Sequence, residues 1–460
     1  MRNPVRVDFP VARPPARPGR PAQLLGALAI LAAVVSGGLP GASSATGDSR
    51  LTAAGRGIAT SLTVAFPTDL TSERPSTVTV RILVHGSPGL GGHPQATLSA
   101  TATTTTTPTS GTTSPTSATT TSPPSTTSPT STTTTSPTNG LFAGAVLTID
   151  RLGTDGHWQL LGSGSADRNG TFRTPVTVWR SITVRARFTG TALLAASRAV
   201  TVVGWARPLA AEVVLPAGGP SPTAPHPDGL PPRGAGAAAT VQPVSDAIWS
   251  RMRGYSWHPG CLPRSTLRYV TVNYWGFDGY RYRGQLVVRA AVATRVVTAF
   301  SALYDRRFPI RLMVLPDWFG HSPNHVGAND YAQMAADNTS AFNCRYVVGK
   351  EAWHVLSPHA TGMAIDINTW ENPYSSRKGP RPDAWYLRNR PTGFSTLFYP
   401  RATQTTTFTH LGWQWGGSWS RGTDYQHFEM HSVPGTTSTA RTPEETLAAA
   451  IDRAVDWSGE

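Results

Sequence analysis

The segment SPHATGMAIDIN, residues 357–368, combines a histidine, a glycine turn and a carboxylate within an apolar strand. His359 precedes a predicted turn at Gly362, and Asp366 lies in the short apolar strand that follows. An isolated buried carboxylate is strongly disfavoured, so Asp366 must be paired, hydrogen-bonded or bound to a metal. A histidine and an aspartate held by one turn and one strand would form half of a zinc site. A satisfied polar pair is the alternative interpretation.

The segment DYQHFEM, residues 424–430, adds a histidine between two carboxylates. His427 offers a third metal ligand, and a nearby carboxylate that does not bind the metal can act as a general base for water. Three protein ligands leave a fourth position open, as a catalytic zinc requires. In a strand, however, His427, Glu429 and His431 share one face, so spacing alone does not choose the ligand.

The segment GWQWGGSW, residues 412–419, lies just before the second histidine and contains three indoles and three glycines. Rigid aromatic rings and close backbone approach suit the wall of a pocket. An aromatic corner of the hydrophobic core is the other interpretation of the same residues.

The combination of these segments is more specific than any one of them. SPHATGMAID, followed by GWQWGG and then DYQHFE, closely resembles the VanY-type D-alanyl-D-alanine carboxypeptidase and L-alanyl-D-glutamate peptidase family of zinc enzymes. That family shows S-x-H-x-x-G-x-A-x-D and then an acid, two residues and a histidine. The resemblance covers residues 250–432. It implies one zinc ion bound by His359, Asp366 and His427, with Asp424 as the base for the attacking water.

The resemblance also implies two further site residues. Residues 337–345, DNTSAFNCR, resemble the family segment whose arginine holds a carbonyl or carboxylate oxygen of the substrate. Arg345 is therefore the candidate, since its planar guanidinium suits such oxygens; a surface arginine is the alternative. Ser357 matches the family serine, which we expect to hydrogen-bond to a ligand residue.

A C-terminal domain over residues 244–458 must position these side chains. Apolar residues at helical spacing predict a helix over 290–304, and the run FPIRLMVL predicts a strand over 308–315. Helices and strands are mixed without strict alternation, so the expected class is α+β. The resemblance implies a Hedgehog-like and DD-peptidase-like zinc-peptidase fold for this domain.

The chain before this domain predicts an all-β immunoglobulin-like sandwich over residues 58–205, so the protein is expected to be multidomain. Strand patterns with a period of two occur at residues 61–66, 76–85, 145–152, 157–162, 171–178, 181–188 and 198–203. A Thr/Ser/Pro-rich insertion at 97–138 has little to bury, so we expect it to be disordered and open to glycosylation. A Pro/Gly/Ala-rich segment at 206–243 predicts a linker that acts as a spacer.

The first 45 residues predict a signal peptide. Five arginines precede an apolar stretch at residues 24–35, and small residues follow at 43–45. We therefore expect a secreted or wall-associated protein with no stable membrane insertion after cleavage, an uncleaved anchor being the alternative. In an oxidising compartment Cys261 and Cys344 predict a disulfide, with two buried free thiols as the alternative.

The formal net charge of +14 is spread along the chain without a run of like charges. Diffuse charge of this kind argues against a nucleic-acid partner and suits contact with anionic cell-wall polymers. Together with the resemblance, it predicts an exported zinc peptidase that hydrolyses peptidoglycan stem peptides, the D-alanyl-D-alanine carboxypeptidase type being favoured. The alternatives are an L-alanyl-D-glutamate endopeptidase and a non-catalytic, metal-containing module that binds the cell wall.

Overall fold

A computed structural model describes most of the chain outside its first residues and the Thr/Ser/Pro-rich insertion. The described residues are 44–46, 57–85, 140–153, 155–347, 350–376, 379–391, 393–420, 422–432, 447, 449–452 and 455. Residues 1–43 of the expected signal peptide at 1–45 and the whole insertion at 97–138 lie outside the described residues. The described chain divides into an N-terminal unit, up to residue 70 and at 75–205, and a C-terminal unit, at 71–74 and from residue 206 onwards.

The N-terminal unit contains two four-stranded antiparallel sheets, with the orders β1-β2-β3-β6 and β5-β4-β7-β8. Alternate side chains of both sheets are buried, among them Leu62 and Val64 in one and Ile149 and Val184 in the other. The seven predicted strands are confirmed with small shifts at their ends, while the immunoglobulin-like topology stays a prediction. The strands are β1 (Ser44–Thr46), β2 (Ala59–Ala65), β3 (Pro75–His85), β4 (Val146–Leu152), β5 (Trp158–Ser165), β6 (Thr171–Thr177), β7 (Ser181–Phe188) and β8 (Ser197–Trp205).

The C-terminal unit mixes short helices with three three-stranded antiparallel sheets, as the α+β prediction requires. The sheet orders are β11-β10-β9, β12-β17-β15 and β14-β13-β16. Its strands are β9 (Thr240–Pro243), β10 (Leu267–Trp275), β11 (Arg281–Arg289), β12 (Ala364–Asp366), β13 (Tyr374–Ser376), β14 (Gly379–Arg381), β15 (Gln414–Trp415), β16 (Thr423–Asp424) and β17 (His427–Glu429). Its helices are α1 (Asp246–Met252), α2 (Ala293–Asp305), α3 (Asp330–Ala335), α4 (Trp385–Arg388) and α5 (Thr403–Thr409).

Helix α2 confirms the helix predicted over 290–304, with a 3₁₀ turn at Ala290–Val292 before it. Its buried side chains include Val296, Phe300 and Leu303, spaced so that they share one face. Phe300 meets Phe408 of α5 edge to face, with ring centres 5.8 Å apart. The two helices therefore pack through an aromatic contact of the core.

The strand predicted over 308–315 is wrong, although the segment is buried. Its backbone groups form hydrogen bonds mainly with side-chain amides and with single residues of neighbouring segments, so the segment does not pair with another strand of a sheet. Val314 N–H donates to Asn338 Oδ1 at 3.0 Å, and Asn368 Nδ2 donates to the carbonyl of Pro309 at 2.8 Å. These amides satisfy the buried backbone in an irregular conformation, which an apolar run alone does not reveal.

Residues 206–243, which we expected to be a spacer, are part of the C-terminal unit. Val213 N–H donates to the carbonyl of Phe277 at 2.7 Å, and Trp370 Nε1 donates to the carbonyl of Pro220 at 3.0 Å. At its end, β9 pairs with β10. The segment thus lies along the C-terminal unit because its backbone carbonyl and amide groups find partners there.

A buried ionic cluster lies beside the irregular segment. Arg311 donates to Asp337 at 2.8 Å and to Glu371 at 2.9 Å, and both carboxylates are fully buried. Burial raises the pKa of Glu371 well above its usual range, and repulsion from Asp337 adds to this effect against the attraction of Arg311. Because one guanidinium serves two buried carboxylates, the pKa of Asp337 is raised as well, with burial as the main cause.

Cys261 and Cys344 form a disulfide that links residues 83 positions apart in the C-terminal unit. Both cysteines are buried in a cluster with Leu262, Phe342 and Tyr346. In the part of the chain that is described, no helix has the length and apolar character needed to cross a membrane.

Candidate metal centre

A capped turn fixes the backbone of His359. The 3₁₀ turn Pro358–Thr361 begins after Ser357, whose hydroxyl accepts from the His359 N–H at 3.3 Å. It ends at Gly362, which has a φ of 65°. A Cβ atom at Gly362 would lie 2.7 Å from the backbone nitrogen of Arg289, so only glycine fits this position. Ser357 therefore positions the ligand residue through its main chain.

Antiparallel pairing places the second and third candidate ligands side by side. Asp366 ends β12 and lies opposite His427, which begins β17. Phe428, the next residue along, packs on the other side against Phe408 with ring centres 4.4 Å apart. Because successive side chains of a strand alternate, burial of Phe428 directs His427 and Glu429 to the opposite face. Loss of a buried phenylalanine ring costs about 3–5 kcal/mol, so this register is firmly fixed.

The three predicted ligands meet in one buried cluster. His359 Nε2 lies 3.1 Å from Asp366 Oδ2, and His427 Nδ1 lies 2.9 Å from Asp366 Oδ1. One nitrogen or oxygen from each residue lies within 4.8 Å of the other two. All three residues are at most 4% exposed. His258 also lies near Cys261 and Cys344, but sulfurs joined in a disulfide are not thiolate ligands.

The protonation pattern of the two histidines suits a cation between them. His359 Nδ1 donates to the carbonyl of Ala341 at 2.6 Å, which leaves the lone pair of Nε2 facing Asp366. That Nε2 atom is buried, and its contact with Asp366 lacks hydrogen-bond geometry. His427 Nε2 faces Glu429 Oε2 at 3.3 Å and its Nδ1 faces Asp366 Oδ1 at 2.9 Å, so with the ring proton directed to Glu429 the Nδ1 lone pair is available to a cation. Two imidazole lone pairs and a carboxylate then converge, which is the donor set of a zinc site.

The electrostatics of the cluster reflect this convergence of charge. Burial alone would raise the pKa of Asp366, but the attraction of His359 together with the hydrogen bond and attraction of His427 holds it below its usual range. Burial alone would lower the pKa of His427, but hydrogen bonds to Asp366 and Glu429 raise it well above its usual value. Glu429 also accepts from His431 Nε2 at 2.7 Å.

Asp424, the predicted base, ends β16 and lines the same cavity as the three ligands. Its Oδ1 atom is buried and has no hydrogen-bond partner in the described part of the chain. Burial raises the pKa of Asp424 well above its usual range, and repulsion from Asp366 adds to this effect against the attraction of His427. A Cβ atom at Gly416 would lie 2.6 Å from the Asp424 carbonyl and 3.3 Å from the His427 Cβ. A glycine at this position therefore allows the backbone at residue 416 to lie close to Asp424 and His427.

The tryptophan-rich segment serves both of the roles that its sequence suggested. Trp413 and Trp415 are buried in the core, and Trp415 Nε1 donates to the carbonyl of Tyr425 at 2.9 Å. Trp419 lines the cavity instead, with its ring centre 5.4 Å from that of His427. Trp419 therefore forms part of the wall of the site, whereas Trp413 and Trp415 belong to the core.

Arg345 lies at the wall of this cavity, which has a volume of about 70 Å³, and is buried. Its guanidinium pairs with Asp330 at 2.8 Å and donates to the carbonyl of Tyr346 at 3.0 Å. Burial raises the pKa of Asp330, while Arg345 opposes that shift. The buried position excludes a simple surface arginine, and the ion pair fixes the guanidinium beside the ligands.

Several residues of the site lie outside the sequence motifs that predicted it. Asp330, Lys350 and Gln426 line the cavity, and all three are buried. Glu429 was one of three residues between which spacing could not choose, and its contact with His427 Nε2 identifies it as the partner that orients this ring. The HxExH pattern of alternating residues was the signal for Glu429, whereas Asp330 and Lys350 carry no local motif.

Part of the chain is similar to a known protein family. Residues 350–430 match the family model described as D-alanyl-D-alanine carboxypeptidase. This range includes Ser357, His359, Asp366, Asp424 and His427, while Arg345 precedes it. No curated protein and no solved structure matches the chain. The resemblance predicted from the motifs is confirmed: residues 350–430 of the C-terminal unit are similar to the D-alanyl-D-alanine carboxypeptidase family.

Proposed function

We propose that the C-terminal unit is a zinc-dependent peptidase that hydrolyses peptidoglycan stem peptides, with removal of a terminal D-alanine as the favoured reaction. The observation that carries this proposal is the buried convergence of His359, Asp366 and His427, with Asp424 on the same cavity wall. The family match over residues 350–430 supports the substrate class. One zinc ion bound by these three residues would polarise the scissile carbonyl and make an attacking water more acidic.

Each of the other site residues then has a separate role in amide hydrolysis. Asp424 takes a proton from the attacking water and passes it to the leaving amine, since its buried carboxylate faces the cavity of the ligands. Arg345 donates to the carbonyl oxygen, where negative charge develops as the water adds. Ser357 and Glu429 position His359 and His427 through the hydrogen bonds described above.

The size and charge of the cavity favour a carboxypeptidase over an endopeptidase. A volume of about 70 Å³ suits a small group beyond the scissile bond, such as a terminal alanine. Lys350 lines this cavity together with Arg345 and supplies a second cation for a terminal carboxylate. An L-alanyl-D-glutamate endopeptidase would need room for a larger acidic residue there.

The test combines a base variant, a ligand variant and a matched surface variant. Asp424→Ala should retain one zinc per chain and lose about 10²–10⁴-fold in kcat on a D-alanyl-D-alanine peptide. His359→Ala should lose the zinc as well, whereas Asp228→Ala, at an exposed position, should behave as the wild type. Mass spectrometry of the products identifies the bond. Activity of the metal-free protein, or full activity of Asp424→Ala, would exclude the proposal.

We further propose that the protein acts outside the cytoplasm, with the N-terminal unit and the Thr/Ser/Pro-rich insertion retaining it at the cell wall. The signal-like start and the diffuse positive charge support this proposal. Anionic wall polymers would then be secondary partners and nucleic acids would not. Fractionation of cells, with blotting for the full-length chain, tests the location.

A further inference from the structure

One sheet of the N-terminal unit exposes large apolar side chains on its outer face, and the other does not. In the described strands of this unit, every exposed large apolar residue belongs to the sheet β5-β4-β7-β8. The pairing register places these residues on the side opposite to the buried core residues, and we call this side the outer face. Exposed apolar groups that gather on one face indicate a binding surface, whereas scattered ones do not. The residues are Val146, Leu152, Leu160, Val203 and Trp205.

An ionic cluster occupies the middle of the outer face. Asp150 accepts from Arg187 Nε at 2.8 Å and Nη2 at 3.1 Å, and from Arg185 Nη2 at 3.0 Å. Burial alone would raise the pKa of Asp150, but hydrogen bonds from Arg187 and Arg185 lower it, so the carboxylate is ionised at neutral pH. Because two guanidiniums share one carboxylate, the cluster retains one positive charge.

Both guanidiniums of this cluster are held in place by the protein itself. The guanidinium carbon of Arg185 lies 4.4 Å from the centre of the Trp158 ring, and Asp150 holds Arg187 by two of its five N–H groups. The Arg187 side chain is 46% exposed, so its remaining N–H groups are accessible to a ligand. An arginine that is already oriented loses less conformational entropy when it binds an acid group. The cluster is therefore suited to bind a carboxylate.

A path of apolar and hydroxyl-bearing side chains leads along β7 and β8 away from the two arginines. At its far end Trp205 is 63% exposed. From Ser181, which lies opposite Trp205, to Arg187 the strand extends about 20 Å, at about 3.4 Å per residue. A surface of this length suits a segment of a polymer. The paired residues along the path are Ser181 with Trp205, Thr183 with Val203, and Arg185 with Thr201.

We infer that the outer face binds an anionic polysaccharide whose sugar rings carry carboxylates. A ring face packs on Trp205 and a carboxylate accepts from Arg187, whose cluster supplies the complementary charge. A polyol-phosphate chain has acid groups but lacks rings to cover Trp205. This inference rests on the proposed retention at the cell wall, because it names the surface and the class of polymer, and it is independent of the peptidase reaction.

The experiment measures the Kd of the full chain for three polymers by calorimetry. Polygalacturonate has rings and carboxylates, its methyl ester has rings without charge, and poly-L-glutamate has charge without rings. We expect polygalacturonate to bind about fivefold more tightly than either of the others, and added salt to weaken this binding because the arginines are partly exposed. Equal binding of poly-L-glutamate, equal binding of the methyl ester, or no binding of polygalacturonate would overturn the inference.

Two variants assign the binding to the outer face. Arg187→Gln should raise the Kd for polygalacturonate about fivefold, the effect of a partly exposed ion pair, and Trp205→Ala about tenfold. Arg173→Gln is the matched control, since this exposed arginine of β6 pairs with Asp167 at 3.5 Å on the other sheet, and it should bind as the wild type does.

The Tm of each variant shows whether the fold is retained, and hydrolysis of a D-alanyl-D-alanine peptide is measured in parallel. Unchanged binding in both folded outer-face variants, or an equal loss in Arg173→Gln, would contradict the inference. Binding of polygalacturonate by a chain that does not hydrolyse the peptide would support the inference and reject the proposed peptidase. Hydrolysis without binding would do the reverse.

Discussion

Replacement of Glu429 tests whether the orientation of His427 controls metal binding. Glu429 is 1% exposed and accepts from His427 Nε2 and His431 Nε2. Glu429→Leu keeps the side-chain volume but removes both acceptor oxygens. The His427 ring then loses the contact that fixes its proton on Nε2 and its lone pair on Nδ1. Glu429→Gln keeps one acceptor oxygen without the charge.

The expected magnitude follows from the length of the hydrogen bond. Loss of a partner that orients a metal-binding histidine typically costs about 10–100-fold in metal affinity. The distance of 3.3 Å between His427 Nε2 and Glu429 Oε2 is longer than most hydrogen bonds of this kind, which places the effect at the low end. We therefore expect Glu429→Leu to raise the Kd for zinc about tenfold, or about 1.4 kcal/mol. Glu429→Gln should show a smaller loss.

The assay is a zinc competition titration of the full chain against a chromogenic chelator at fixed pH. Circular dichroism and the Tm of each metal-free variant show whether the fold is retained. His410→Gln, an exposed histidine at the end of α5, is the matched control and should bind zinc as the wild type does. A folded Glu429→Leu protein with a Kd within twofold of the wild type would refute the role of Glu429 as the residue that orients His427.

Two further predictions concern stability. A chain that starts at residue 206 should fold and retain activity, whereas a chain that starts at residue 244 lacks β9 and the segment that is hydrogen-bonded to Phe277 and Trp370. Urea denaturation should therefore show a clearly lower midpoint for the shorter chain. Equal midpoints would mean that residues 206–243 act only as a spacer. Glu371 has a folded-state pKa raised above the unfolded value, so the folded state retains its proton more strongly and stability falls as pH rises above about 4.5 towards the folded pKa. Glu371→Gln should flatten this dependence in urea unfolding between acid and neutral pH, and an unchanged slope would contradict the assignment.

The sequence predicted which side chains meet in the buried cluster, because the motif resemblance named them and two of the three depend on local geometry. His359 and Asp366 lie on one turn and the strand after it, and the alternation of β17 brings His427 to the same face as Glu429. The choice between the residues of β17 needed the pairing register, which depends on the burial of Phe428 against α5. Spacing within one strand contains no information about that contact.

Residues that reach the site through tertiary packing could not be predicted. Asp330 begins a short helix and Lys350 follows a loop, so neither has a sequence pattern that indicates the cavity they line. The apolar run at 308–315 predicts a strand, but an apolar run does not show whether its backbone groups will hydrogen-bond to a neighbouring strand or to side-chain amides such as that of Asn338. Residues 206–243 resembled a spacer in composition, but backbone hydrogen bonds to the C-terminal unit are independent of composition.

Because the disulfide between Cys261 and Cys344 needs an oxidising compartment, the structure of the candidate site depends on where in the cell the chain is located. Cys344 is the residue before Arg345, so the covalent link anchors the backbone that carries this guanidinium. Disulfides form in oxidising compartments and are rare in the reducing cytosol. If the proposed function holds, the wall of the cavity is completed only after the chain leaves the compartment of its synthesis. The cell would thereby separate in time the production of a wall-cutting enzyme from the start of its activity.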